Sequence, residues 1–132
     1  MKVGIIGSGN IGQAVATLAS RAGHEVVMSS RRGGASLAAV VRAVGAGAKA
    51  GTVTDAAQAD VVVLAVPWNA VEAAVKGVRF DGRVLVDATN PVLPGFRPAN
   101  LGGRASSEVV AALVPDARLV KAFNTLAPAQ LL

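Results

Sequence analysis

The chain has 132 residues, 52% of them hydrophobic, a formal net charge of +5 and no cysteine. That length and apolar content suit one domain, residues 1–132, with a core large enough to cover both faces of a sheet, and leave no room for a second full domain. Without cysteine there are no disulfides, thiolate metal sites or cysteine nucleophiles, so redox chemistry would have to come from a bound cofactor; a reducing, cytoplasmic setting fits this composition.

Lys2-Val3-Gly4-Ile5-Ile6-Gly7-Ser8-Gly9-Asn10-Ile11-Gly12 reads as a buried strand, a tight glycine turn and a helix start. Val3, Ile5 and Ile6 supply the strand, and from Ile11 the apolar positions Ala14, Val15, Leu18, Ala19 and Ala22 follow at helical spacing. Gly7, Gly9 and Gly12 stand in G-x-G-x-x-G spacing. The first permits the turn, the second admits a pyrophosphate, and the third lets helix and strand pack closely. Gly7, Ser8, Gly9, Asn10, Ile11 and Gly12 are therefore candidate dinucleotide contacts, with the helix N–H groups facing the phosphates. A purely structural glycine turn is the alternative. Val3 to Ser20 carries no charge, yet polar residues interrupt it too often for a leader or a membrane span.

Arg21 and Gly23 end the first helix, and Glu25-Val26-Val27-Met28 is the second strand. It runs into Ser29-Ser30-Arg31-Arg32. An Asp or Glu about twenty residues beyond the glycines normally binds the ribose 2′-OH, whereas Arg accommodates a 2′-phosphate. Here no acid is available, so Ser29, Ser30, Arg31 and Arg32 form a candidate NADP pocket, with a solvated basic turn as the plainer alternative.

Ala35 to Val44 reads as a helix, Thr52-Val53 as a short third strand, and Asp55 to Ala59 as a brief helix capped by Thr54. Asp60 to Val66 is a continuous apolar run, as in a central parallel strand. Pro67 ends it and leaves Trp68 and Asn69 on the loop at its carboxyl end, where open α/β sheets bind ligands. Ala65, Val66, Pro67 and Trp68 are accordingly cofactor-binding candidates. Trp68 reads equally well as a packing residue, and Asn69 as the cap of a helix over Ala70 to Lys76.

Val84 to Val86 is the fifth strand, and the segment leaving it places Thr89 and Asn90 on the nicotinamide side. Val92 to Gly103 is a long Pro/Gly-rich loop of the kind that often binds ligands. A helix capped by Ser106 or Ser107 runs through Leu113, and Arg118 to Phe123 is a sixth strand. Alternating strands and helices point to an α/β fold: a Rossmann-type doubly wound parallel sheet in three layers, strand order 3-2-1-4-5-6.

Gly7 to Gly12, Ser29-Ser30-Arg31-Arg32, Leu64-Ala65-Val66-Pro67-Trp68, Asp87-Ala88-Thr89-Asn90-Pro91 and Lys121-Ala122-Phe123-Asn124-Thr125 together resemble the NADPH-dependent reductases of the deazaflavin coenzyme F-420. The resemblance implies NADP(H) at the glycine turn and Ser/Arg loop, with hydride passing between nicotinamide and a deazaflavin or flavin-like acceptor. The same motifs occur in the cytosolic reductase domain of membrane metalloreductases, so they specify the cofactor better than the acceptor. Members of the family continue past the last strand into a region that helps form the acceptor pocket and the dimer. Here only Leu126 to Leu132 remain, so that extension is expected to be absent.

Carbonyl reduction requires a proton donor beside the acceptor, commonly Tyr, His or Lys. The chain has no Tyr, and its single His24 precedes the second strand, at the amino edge. Lys121 would serve only if its side chain reached the carboxyl edge. Hydride transfer to a flavin-like ring needs no protein acid, so no catalytic residue is assigned, and one His without Cys leaves no metal site. A non-catalytic NADP(H)-binding module and a fold used only as a scaffold are the rival readings. The thirteen Lys and Arg are scattered, and three Phe and one Trp give no base-stacking platform, so nucleic acid is not an expected partner. The apolar tail with Leu126, Leu131 and Leu132 follows an edge strand with nothing to cover it, which predicts a homodimer, or else a disordered tail.

Overall fold

A computed structural model describes residues 1–132, the surroundings of Gly34 excepted. Six strands form one parallel sheet: β1 (Lys2–Ile6), β2 (Glu25–Ser29), β3 (Ala48–Ala50), β4 (Val61–Leu64), β5 (Val84–Asp87) and β8 (Arg118–Lys121). A small antiparallel hairpin, β6 (Val92–Leu93) and β7 (Arg97–Pro98), stands between β5 and β8 in the chain. The spatial order of the main sheet is β3-β2-β1-β4-β5-β8, which is 3-2-1-4-5-6 once the hairpin is set aside.

Both faces of the sheet are covered, as continuous apolar strands require. On one face Ile6, Val62, Leu64 and Leu85 pack with α3 (Val53–Ala57), α4 (Val71–Val75), α5 (Ser106–Leu113) and the fully buried Phe80. On the other, Ile5, Val26, Met28 and Val63 pack with α1 (Asn10–Arg21) and α2 (Gly34–Val44). Each such aliphatic side chain contributes about 1.5–3 kcal/mol on burial.

Several local expectations give way to stronger interactions. The third strand is Ala48–Ala50, not Thr52-Val53, because Thr52 is taken up as the N-cap of α3. Thr52 Oγ1 accepts from Asp55 N at 3.0 Å and Asp55 Oδ2 accepts from Thr52 N at 2.8 Å. This capping box satisfies two backbone donors at once and outweighs the strand preference of Thr-Val; Thr54 lies inside the helix. The fourth strand stops at Leu64, where its partner β1 ends. Asn69 sits within a 3-10 turn over Trp68–Ala70 and does not cap α4, and α5 starts without a serine cap. The last strand ends at Lys121, since Phe123 adopts a left-handed φ of 65° that no strand accommodates.

The carboxyl-terminal residues are not an uncovered tail. Pro128–Leu131 forms α6, which packs on α1, and Leu131 joins the core on that face. Val120 on edge strand β8, Phe123 and Leu126 in the segment after it, and Leu132 at the end of α6 remain exposed.

The amino edge is held by Asp116. Its Oδ2 accepts from Asp81 N at 3.0 Å and Phe80 N at 2.8 Å, fixing the turn that aims Phe80 into the core. Those backbone N–H groups, Asp81 foremost, hold the carboxyl of Asp116 below the usual carboxylate range. The folded-state pKa is depressed, so the stabilisation is complete above the unfolded value near pH 4 and is lost as pH falls through the folded value. Asp116→Asn is expected to be less stable than wild type at neutral pH, with the gap closing in acid. Circular dichroism during acid titration checks this, and parallel unfolding curves for the two proteins would contradict it.

Candidate functional site

The carboxyl ends of β1, β2, β4, β5 and β8 share one edge of the sheet, and the candidate residues gather there. The three glycines after β1 have three different surroundings. Gly7 has φ 118°, and a Cβ on it would lie 2.2 Å from the Ala65 carbonyl oxygen. One on Gly12 would lie 2.6 Å from the Gly7 carbonyl oxygen. Gly9, the N-cap of α1, has nothing within 4 Å of its Cβ position. Gly7 and Gly12 are therefore demanded by packing, whereas Gly9 leaves its space open at the mouth of the helix.

The first intrahelical bond of α1 runs from Gln13 N to Gly9 O at 2.9 Å, so the preceding amides point out of the helix end. Gln13 also donates from Nε2 to the Ser8 carbonyl at 2.7 Å and braces the loop. Nothing acidic stands in the first turn of α1. Gly9 and Asn10 are exposed and Ser8 half-buried, while Ile11 packs toward the core beside α1.

At the end of β2, Arg31 and Arg32 are exposed, and Ser30 Oγ accepts from Arg32 N at 3.3 Å. Ser29 differs from its neighbours. It is buried, and its Oγ donates to the Ile5 carbonyl at 3.1 Å, so the hydroxyl ties β2 to β1 and faces away from the edge. After β4, Ala65 packs toward one core and Val66 toward the other, leaving Pro67 exposed. Trp68 is half-buried against the α3/α4 core.

Thr89 is also turned inward, its Oγ1 donating to Asp87 Oδ1 at 2.6 Å; only its neighbour Asn90 is exposed. Asn90 Nδ2 donates to the Asn124 carbonyl at 3.0 Å, which joins the loop after β5 to the loop after β8. Beneath them Lys121 reaches the carboxyl edge and donates to Asp87 Oδ2 at 3.1 Å and to the Thr89 carbonyl. The sequence motifs contain Asp87 and Asn124 without giving either a role, leave Gln13 aside, and raise Lys121 only conditionally. The available signal was that Val-Leu-Val-Asp and Arg-Leu-Val-Lys end in opposite charges.

Beside this edge the hairpin arches over a cavity of about 300 Å³ lined by Pro67, Asn69, Val92, Leu93, Pro94 and Phe96. Phe96 is 95% exposed and holds a left-handed φ of 58° at the hairpin tip. His24 is remote, its Nδ1 3.2 Å from the Met1 amine at the amino edge. No helix among the described residues is long and apolar enough to cross a membrane.

Comparison with known proteins agrees with this architecture. A hypothetical protein from Sinorhizobium meliloti is 46% identical with a TM-score of 0.89, over 99% of this chain and 65% of its own. A candidate F420-dependent NADP reductase from Arthrobacter sp. FB24 is 23% identical with a TM-score of 0.76, over 98% of this chain and 65% of its own. A reductive aminase from Aspergillus terreus, solved with NADPH and ethyl-5-oxohexanoate, is 22% identical with a TM-score of 0.71, over 98% of this chain and 42% of its own. The latter two share the fold, and this chain spans about two thirds of the length of the first two. The family model described as "NADP oxidoreductase coenzyme F420-dependent" matches residues 2–91, well over half of the chain, and the protein belongs to that family.

Proposed function

We propose that the chain binds NADP(H) along the carboxyl edge and aligns it for hydride transfer with a deazaflavin such as coenzyme F-420, or a flavin-like ring. The carrying observation is the contrast among the glycines: the two that packing demands frame one whose Cβ space is open at the N-terminus of α1. That is the cradle a pyrophosphate needs. Arg31 and Arg32 would hold the 2′-phosphate, and Ser30 lies on the same turn. Ser29 and Thr89 would contribute through the backbone, because their hydroxyls are engaged elsewhere.

The nicotinamide supplies or takes the hydride, while the chain binds it, orients it and keeps water out. Lys121 is committed to Asp87 and Thr89, and His24 lies at the opposite edge, so a carbonyl acceptor would find no ready proton donor. An aromatic redox ring needs none. The apolar cavity beneath the hairpin, with Phe96 at its rim, suits such a ring.

Arg31→Ala is expected to weaken NADPH about tenfold or more, from loss of a charge-assisted contact, while barely changing NADH. Gly9→Val is expected to keep a native circular dichroism spectrum yet lose NADPH. Fluorescence titration reads both, and equal losses for the two cofactors, or unchanged NADPH affinity in Gly9→Val, would refute the site.

Turnover of NADPH with F-420, FMN, FAD or a ferric chelate tests the acceptor. Binding without turnover by any of them would favour a non-catalytic NADP(H) module. The exposed Val120, Phe123 and Leu126 support a homodimer as part of this reading, and a monomeric mass by light scattering at micromolar concentration would remove it.

A further inference from the structure

The buried carboxylate of Asp87 is given no contact with the cofactor in the reading above, yet both its oxygens are bonded on the carboxyl edge. It is 0% exposed; Oδ1 accepts from Thr89 N at 2.8 Å and Thr89 Oγ1 at 2.6 Å, and Oδ2 accepts from Lys121 Nζ at 3.1 Å. Lys121 Nζ donates in turn to the Thr89 carbonyl. One ion pair thus fixes all three polar groups of Thr89, its N–H, its hydroxyl and its carbonyl. The next residue is Asn90, exposed on the edge and bonded across to Asn124.

The junction of β5 and β8 does not rest on this pair alone. β5 and β8 are already joined by their own ladder, with Asp87 opposite Lys121 in register. A buried ion pair is often no more stabilising than apolar side chains of the same volume. What the pair adds is to hold the Thr89 backbone in one conformation, and a fixed loop matters most where a ligand must be aligned.

We propose that Lys121 is a positioning residue for the nicotinamide end of the cofactor: paired with Asp87, it locks the Thr89–Asn90 backbone against which that end is oriented. The inference rests on the NADP(H) reading above and adds the means by which the ring end, as distinct from the adenosine end, is placed. Lys121 acts through the loop and takes no part in hydride transfer.

The test separates the two ends of the cofactor. NADPH and 2′,5′-ADP, which carries the adenosine phosphates without nicotinamide, are titrated against wild type, Lys121→Arg and the double variant Asp87→Asn/Lys121→Met. The double variant leaves no uncompensated buried charge. The expected result is 2′,5′-ADP affinity within about twofold of wild type throughout, with NADPH weakened about fivefold or more in the double variant. NADPH fluorescence enhancement is lost with it. Lys121→Arg keeps the charge but puts a longer, planar head group with fixed donor directions where the compact ammonium meets both Asp87 and the Thr89 carbonyl, so it falls between the two and carries the test alone where the double variant does not fold. Unchanged NADPH binding and fluorescence in the variants would overturn the proposal. So would a parallel loss of both ligands, which marks a merely structural role. Wild type binding neither ligand would refute the nucleotide reading itself, and this inference with it.

Discussion

Backbone packs directly on backbone at three places around β1, and the position of the whole carboxyl edge depends on them. A Cβ on Gly4 would lie 1.9 Å from the Ala56 carbonyl oxygen, on Gly7 2.2 Å from that of Ala65, and on Gly12 2.6 Å from that of Gly7. Real side-chain carbons do not approach so closely, so any larger residue has to push α3, the β4 loop or α1 away from the central strand. Overpacking of this kind typically costs about 1–3 kcal/mol, and more where the backbone itself must yield. The three contacts act on different neighbours. Gly4 seats α3 on one face, Gly12 seats α1 on the other, and Gly7 draws the ends of β1 and β4 together. The result is a helix N-terminus held immediately above the strand ends, with Gly9 as the one position in the turn where space is left over.

The fold class is legible in the sequence because its signals are local and mutually consistent: apolar strands, helical spacing and glycine turns recur in alternation, and the glycine fingerprint selects one of the few sheet orders common for that alternation. What escaped is set by relations between distant residues. Thr52-Val53 has strand propensity, yet the reciprocal bonds of Thr52 with Asp55 decide the matter in favour of a helix cap. The Val92 to Gly103 loop hides a hairpin whose pairing is only two residues long on each side, too short for any periodicity. Asp87 and Lys121 become partners only through a register that neither segment reveals alone.

The candidate site was legible to a similar depth. Motifs located the glycine turn, the Ser/Arg loop and the two strand-end loops on one edge, but side-chain direction within a loop is not periodic. Ser29, still within β2, satisfies its hydroxyl on the neighbouring strand, and Thr89 satisfies its own on Asp87. Both are buried polar groups that would be costly to leave unpaired, and short polar side chains close to available backbone or carboxylate oxygens find such partners first.

The placement of acids among the helices supports an anion at the loops after β1 and β2 in particular. Each helix N-terminus carries a partial positive charge from its unpaired amides, which a carboxylate in the first turn neutralises. α3, α4 and α5 carry Asp55, Glu72 and Glu108 in their first turns, whereas α1, α2 and α6 carry no acid there. Capping alone does not account for the difference, since only α3 has a side-chain cap among the first five of these helices. Of the three helix ends without an acid, those of α1 and α2 follow the glycine turn and the Ser/Arg loop, the places where a pyrophosphate and a 2′-phosphate would lie in a dinucleotide extended along this edge; at the third, α6, Gln130 Oε1 accepts from Ala127 N at 2.9 Å. A carboxylate at either of the first two would repel those phosphates from within a few ångströms.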